Sequence, residues 1–519
     1  MKRNFLFSSL ILPFLFLTLL LPGCILGPGP ETIADDTENI LETDAITRAA
    51  KPVALDDALA EMYSLMDDID ACEGTRSGVG VYSGRRNIQF VELLGAKQLQ
   101  QAITRSDEPI LDSLLYLVNF VGGGFAVLGA DESLASVIAL TSAGRISAND
   151  FISGGEVETS YTLEDLWVEE DEDYLLGGVQ PTAGVSFVSK IILDYAINGW
   201  NDPGGRGIDD GTGDNSAGDG GGEGPVTPVI PPGGGGNNGP TYTYEYEWVV
   251  DNNTGVLLTT NWHQRSPFHD FIHFFKSNKT TAGCVAIAVM QIMAYHESPA
   301  CTDLYYTEGD SALKAAIAAE MGIETDTVTW RGLKASDLDE NPTDSLLVLP
   351  GSRAAAASIS LHVGKGVSMW YNMDGEGSSF ATPNQAKKYL NRRGYDATRY
   401  ISYKESKIKS EIKDNNRPVF LGALGDFSHG HAWVLDGWME RHERKIAVRD
   451  SDGQRTVVNE NVRSQKLVHC NWGWGGSCNG YYVSDAFFNT KNGAEIPDPN
   501  GGTQDFYASW WFRTVTVKL

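Results

Sequence analysis

The chain has 519 residues, 42% of them hydrophobic and 21% charged, enough for roughly two to four domains that each bury a sizeable core. Its formal net charge of -28 excludes nucleic acid as the main partner, because phosphate binding needs a basic surface. Only one long apolar run occurs, at the N-terminus, which excludes a chain that crosses a membrane repeatedly.

That run defines the first element. Lys2 and Arg3 precede the apolar stretch from Phe5 to Leu21, and the whole reads as a secretory signal peptide over residues 1–23. Leu21-Pro22-Gly23-Cys24 resembles a bacterial lipobox, with Pro22 in place of the commoner small residue. The resemblance implies acylation of Cys24, a tether over 24–44, and an exported cell-envelope lipoprotein that meets the membrane through Cys24.

Residues 45–200 follow as a small α+β unit. Leu55, Leu59, Met62, Leu65, Met66 and Ile69 recur at helical spacing. Tyr116–Val121, Phe125–Leu128 and Val137–Thr141 read as strands, the first two joined by Gly122-Gly123-Gly124. The unit contains no nucleophile with a base nearby. Residues 1–200 carry 30 acidic and 11 basic side chains, whereas residues 241–519 carry 32 and 28. Between them lies a linker over 201–240, in which residues 202–240 hold 15 Gly and 6 Pro. Such a stretch buries too little apolar surface to offset its ordering entropy.

Residues 241–519 hold all nine histidines and four of the six cysteines. In His269-Asp270-Phe271-Ile272-His273 two imidazoles stand four apart, but no Glu follows the first and no third ligand is evident. Ordinary packing is the expectation there, not a metal site. Three other segments carry the chemistry. Gly283-Cys284-Val285-Ala286-Ile287-Ala288 opens an apolar helix, ended before Pro299, that puts a thiol at the positive end of a helix dipole, where thiolate is favoured. Gly430-His431-Ala432-Trp433-Val434-Leu435 places an imidazole at the start of an apolar strand, with His429 as the rival ring. Asp436, five residues on, falls on the opposite strand face. Asn471-Trp472-Gly473-Trp474-Gly475-Gly476 supplies an amide to accept from the ring of His431 and an indole to shield that bond. The order Cys, His, Asn matches papain-like nucleophilic catalysis.

These segments resemble the streptopain (Peptidase C10) family of secreted bacterial cysteine peptidases. Asn261-Trp262-His263-Gln264-Arg265-Ser266-Pro267-Phe268 is similar to the stretch that precedes the nucleophile in that family, and Gly366-Val367-Ser368-Met369-Trp370-Tyr371 also fits. The resemblance implies an α+β fold: a papain-like two-subdomain peptidase over 241–519, preceded by an inhibitory pro-domain over 45–200 that docks in cis. Tyr116-Leu117-Val118-Asn119-Phe120 and Gly124-Phe125-Ala126-Val127-Leu128 look like part of that pro-domain. The implied site is Cys284 as nucleophile, His431 as acid and base, Asn471 and Trp472 holding the ring, and Gln264 with the Cys284 amide as oxyanion donors. Protein or peptide substrates follow, with no metal or organic cofactor.

Two other readings stand beside this one. Transglutaminase-like or amidase enzymes use Cys and His with an Asp soon after the His. A lipid-anchored binding protein would carry a degenerate peptidase domain, whereas Cys, His and Asn are all in place here. Cys470 and Cys478 could pair or remain two buried thiols. Self-cleavage in or beside the linker, near the apolar Tyr242–Val250 stretch, is the expected route of activation.

Overall fold

The computed structural model describes residues 51–77, 82, 87–95, 113–152, 181–201, 240–488 (apart from 278, 310, 343–346, 372–377 and 426–428) and 510–519, together with short strands at 167–168, 173–174, 176–177, 495–498 and 502–505. The expected signal peptide, Cys24, the tether and nearly all of the linker lie outside the described residues.

The first helix, α1 (Leu55–Ser77), forms where the periodicity predicts, and it buries Met62, Leu65, Met66 and Ile69. Four strands follow: β1 (Ile88–Leu94), β2 (Leu115–Phe120), β3 (Phe125–Gly129) and β4 (Val137–Thr141). All three glycines of the β2–β3 turn have positive φ, which a side chain resists. Helix α2 (Pro181–Asn201) then leads, beyond the linker, to the long strand β5 (Tyr242–Asn253). The helices α3 (Cys284–His296), α4 (Ser352–Gly366) and α5 (Pro383–Arg392) come next. They are followed by β6 (Asp396–Tyr400), β7 (Val419–Gly425), β8 (His429–Arg449), β9 (Arg455–Asn471), β10 (Gly480–Val483) and β11 (Trp511–Lys518).

The strands form one 11-stranded antiparallel sheet in the order β1-β2-β3-β4-β10-β9-β8-β7-β11-β6, with β5 paired to the distal half of β8. Its centre is covered on both faces. Along β7, Val419, Leu421 and Ala423 enter one core, while Phe420 and Leu424 enter the other. Along β8, Trp433 and Leu435 likewise face away from Ala432 and Val434. A strand buried twice reads as a continuous apolar run. Helix α3 is apolar all round and is buried from Cys284 to Ala294 against the second face.

Two features add to the expectations, the first a docked arrangement and the second a change. The N-terminal strands and the C-terminal segment pack against each other, and residues 50–519 cluster as one body. The junction is β4 against β10, where Tyr482 pairs with Ala139 and Gly480 with Thr141. A Cβ on Gly480 would lie 2.3 Å from the Leu140 carbonyl oxygen, so the strands meet this closely only because residue 480 has no side chain. The apolar faces of α1, α2 and β2–β4 share a core with Trp433, Trp438 and Trp472. The second change concerns Tyr242–Val250. These residues are part of β5 and pair with β8 from Arg449 to Arg441, so a peptidase would have to strip that ladder before it could cut there.

Candidate active site

Gly283 enters α3 with φ 92°, and a Cβ there would lie 2.6 Å from Met369 Cε. This tight turn delivers Cys284 at the helix N-terminus. The loop before it is fixed on two sides: the Ala282 amide donates to the Gln264 carbonyl at 2.9 Å, and Ser379 Oγ donates to the Thr281 carbonyl at 2.7 Å. Gln264 is buried, and its Oε1 has no hydrogen-bond partner among the described residues. The expected oxyanion donor thus sits on the segment bonded to the nucleophile's own loop.

His431 is the third residue of β8 and is fully buried. Its Nε2 lies 2.8 Å from the Trp472 carbonyl oxygen. A carbonyl only accepts, so Nε2 carries the proton and Nδ1 is left with a bare lone pair. Nδ1 has no partner among the described residues. The next amide in β8, that of Ala432, hydrogen-bonds the sulfur of Cys284. Helix α3 and strand β8 therefore bring nucleophile and ring to one place. His429 lies at the start of the same strand, and its side chain is outside the described residues.

Asn471 does not take the expected role. Its Nδ2 donates to the Thr260 carbonyl at 2.7 Å, and its Oδ1 accepts from the Gly473 amide at 3.3 Å. The amide side chain is spent on bracing the loop, and the backbone carbonyl of Trp472 holds the imidazole instead. The nearer aromatic shield is also a neighbour of the expected one. Trp474 stacks on His431 with ring centroids 4.5 Å apart, against 6.3 Å for Trp472. The loop that carries both indoles is pinned by Asn479, whose Oδ1 accepts from the Trp472 amide at 2.9 Å. The N-terminal segment grips it as well, through Ser142 N to Asn479 O and Cys478 N to Ala143 O.

Burial also overturns the expected thiolate. It pushes the Cys284 thiol up to about 12, although the Ala432 and helix-terminal amides pull the other way. The same cause holds the His431 ring down at about 3. Desolvation outweighs the helix terminus, and both groups are neutral.

One residue that covers the His431 ring has no mark in the sequence pattern. Phe187 of α2 sits edge-on to His431 (5.6 Å between centroids), Trp433 (6.2 Å), Trp472 (6.1 Å), Trp474 (6.3 Å) and Trp510 (5.1 Å). A few residues earlier, Leu176 and Gly177 pair with Ala381 and Phe380, beside the Ser379 that braces the nucleophile's loop. The N-terminal segment thus touches both walls of the site. Helical spacing of the apolar residues Val185, Val188, Ile191 and Ile192 was the available signal for α2. No sequence pattern marked Phe187 as facing a histidine.

The remaining candidates resolve as follows. Asp436 accepts at Oδ1 from His469 Nδ1 at 2.7 Å and at Oδ2 from the Leu258 amide at 3.2 Å, so it does not orient His431. His269 and His273 come together at 4.0 Å between centroids, and both face the Thr280 carbonyl oxygen. Among the described residues no group of three or more His, Cys, Asp and Glu is arranged to hold a metal ion. Cys470 and Cys478 are buried free thiols.

Residues 262–482 match the Peptidase C10 family. Streptopain of Streptococcus pyogenes is 28% identical over 229 residues, which is 41% of this chain and 48% of that protein. The chain thus spans about half the length of the curated relatives it matches. Among solved structures, a prointerpain A fragment of Prevotella intermedia is 15% identical with a TM-score of 0.38, covering 78% of this chain and 95% of that one. Active interpain A of the same organism is 21% identical with a TM-score of 0.30, covering 51% and 95%. Cys284, His431, Asn471 and Trp472 all fall within the matched residues, and over that stretch the chain is similar to the Peptidase C10 family and to streptopain.

Proposed function

We propose that this chain is the latent precursor of an exported cysteine endopeptidase. One observation carries the reading: Cys284 at the start of α3 is hydrogen-bonded by the amide next to His431, a ring whose Nδ1 is bare and whose Nε2 is held by the Trp472 carbonyl. In the open form, Nδ1 takes the thiol proton and the sulfur attacks a peptide carbonyl. Gln264 and the Cys284 amide stabilise the oxyanion, at about 3–4 kcal/mol per donor. The C–N bond breaks as His431 passes the proton to the leaving amine. Water, deprotonated by the ring, then hydrolyses the thioester. Trp474 and Trp472 exclude solvent from the imidazole, and Asn471 braces the loop beneath it.

In the precursor, α2 seals the site by seating Phe187 among its aromatic rings. A cut within 202–240 makes that docking bimolecular and lowers the effective concentration of the seal. Cleavage also separates the peptidase from Cys24, the acylated membrane anchor. The transglutaminase-like reading is disfavoured because Asp436, the acid soon after His431, is engaged by His469.

The test is covalent labelling. A peptidyl chloromethyl ketone added to the processed chain should alkylate Cys284 alone, as mapped by mass spectrometry of its peptides. Labelling should vanish in Cys284→Ala and fall at least a hundredfold in His431→Ala. Equal labelling of Cys301 or Cys470, or none at Cys284, would defeat the assignment.

A further inference from the structure

The distal half of β8, with β5 and β9, forms a three-stranded arm beyond the active site. Helix α1 is anchored in the shared core by Met62, Leu65, Met66 and Ile69, and it meets the arm through charged and polar side chains. Arg441 has a fully buried side chain, stacks 4.2 Å over the Trp248 ring, and donates to Asp68 Oδ2 at 3.0 Å and to Gln465 Oε1 at 2.8 Å. Arg463 donates to Glu61 Oε1 at 2.8 Å, and Trp248 Nε1 donates to Glu61 Oε2 at 2.6 Å. Ser64 completes the contact with Arg441. Glu61, Ser64 and Asp68 stand at i, i+3 and i+7, one face of a helix. Beside the contact lies a cavity of about 1390 Å³, lined in part by Glu61, Ser64, Trp248, Arg463 and Gln465.

We propose that this arm, once vacated by α1, is a substrate-docking exosite for acidic helices. The proposal rests on the peptidase reading above. Loss of α1 strips Asp68, Ser64 and Glu61 from Arg441, Trp248 and Arg463 at once. The Trp248 indole and the Arg441 N–H groups that faced Asp68 and Ser64 are then left with unmet donors, while Arg441 keeps Gln465 and Arg463 keeps Glu443 and loses Glu61. The occupant that restores these contacts is an amphipathic acidic helix, with carboxylates seven residues apart, a small hydroxyl between them, and an apolar face in the place of Met62, Leu65, Met66 and Ile69. Arg441 lies ten residues along β8 from His431, roughly 33 Å at strand rise. The exosite therefore selects folded proteins whose cleavable segment is well separated from an acidic helix, and it leaves short peptides unaffected.

The experiment uses the full chain with a site-specific protease sequence inserted within 202–240, cut and then passed over a sizing column to remove the N-terminal segment. Two probes are compared. One is a short peptide substrate. The other is the same peptide joined to the residue 55–77 helix by a flexible linker of about 35 residues, whose mean span matches that distance. The fused probe should show a KM about tenfold lower at unchanged kcat. The gain should disappear when the helix carries Glu61→Gln and Asp68→Asn, or when the enzyme carries Arg463→Gln. Arg441→Lys should keep part of the gain that Arg441→Met loses, with the short peptide cleaved equally well by both. Equal KM for the acidic and neutralised helices would overturn the exosite. So would an N-terminal segment that stays bound after the cut. If the short peptide is not cleaved, the peptidase reading falls. Binding of a fluorescent 55–77 helix to the cut Cys284→Ala chain, lost with Arg463→Gln, then decides the exosite by itself.

Discussion

At the scale of single residues, the site works through what each polar atom has left to bond. His431 offers a bare Nδ1 because the Trp472 carbonyl takes the Nε2 proton. Asn471, which a motif reading makes the ring's partner, spends its buried amide on Thr260 and Gly473. Asn471→Ala should therefore behave as a structural lesion. The expected loss is about 1–3 kcal/mol of stability from unsatisfied buried groups, with peptide hydrolysis well below the melting temperature reduced less than tenfold. His431→Ala should abolish hydrolysis even at temperatures where the variant remains fully folded. Paired melting curves and rates separate the two, and equal loss of activity would restore Asn471 to the ring. Protonation gives a second prediction. The His431 ring has an ordinary value of 6.5 and is held at about 3 in the fold, so between those values the unfolded chain binds a proton that the folded chain does not. The stability contributed is complete above about pH 6.5 and is lost as the pH falls toward 3. Burial acts in the same direction on His269 and His296, both held at about 4. Urea midpoints of the intact Cys284→Ala chain should fall steadily from pH 7 to pH 4, and a flat profile would show that these rings are not buried neutral.

At the scale of elements, the legible parts were those governed by local periodicity and turn chemistry. The positions of α1, the hairpin glycines and the Cys284 helix were open to reading because a 3.6-residue period, a period of two and positive-φ glycines leave marks in sequence. The β4–β10 junction left no such mark, since strand partners far apart in sequence are chosen by complementary faces and not by local pattern. Nor did Phe187, one apolar residue in an apolar helix, whose importance lies in the ring it meets. Its removal should be felt directly. Phe187→Ala deletes the side chain that fills the space between His431 and four tryptophans, a change worth about 3–5 kcal/mol in a packed core. The uncut chain should then hydrolyse peptides at least tenfold faster than the uncut parent, measured with the linker shown intact by electrophoresis. Unchanged activity would mean that α2 does not seal the site. Gly480→Val tests the other attachment, because a side chain there meets the Leu140 carbonyl. It should lower the melting temperature and open the 115–141 strands to limited proteolysis before the 419–471 strands. Proteolysis of both at the same rate would show that β4–β10 is not a separable junction.

At the scale of the whole molecule, one continuous sheet carries His431 on a central strand beside Cys284 at the start of α3, and the N-terminal segment is built into one of its two cores. Fusion of the two segments explains how a site can be assembled and still be silent. The α2 helix keeps water and substrate out, and dryness keeps the thiol protonated and the ring neutral. On the proposed function, release of the segment would wet the site, restore ordinary protonation, and at the same time free the face of the arm that α1 covers. The segment over 202–240, rich in Gly and Pro, is the proposed place for the cut that separates these states, because Tyr242–Val250 is hydrogen-bonded along β8. The most direct test of the account is the rate of hydrolysis of one peptide substrate by the full-length chain before and after a single cut engineered within 202–240. The account predicts an inert intact chain, a rise of at least a hundredfold on cutting, and no activity in the cut Cys284→Ala chain. Equal rates before and after the cut, or hydrolysis by the Cys284→Ala chain, would contradict it.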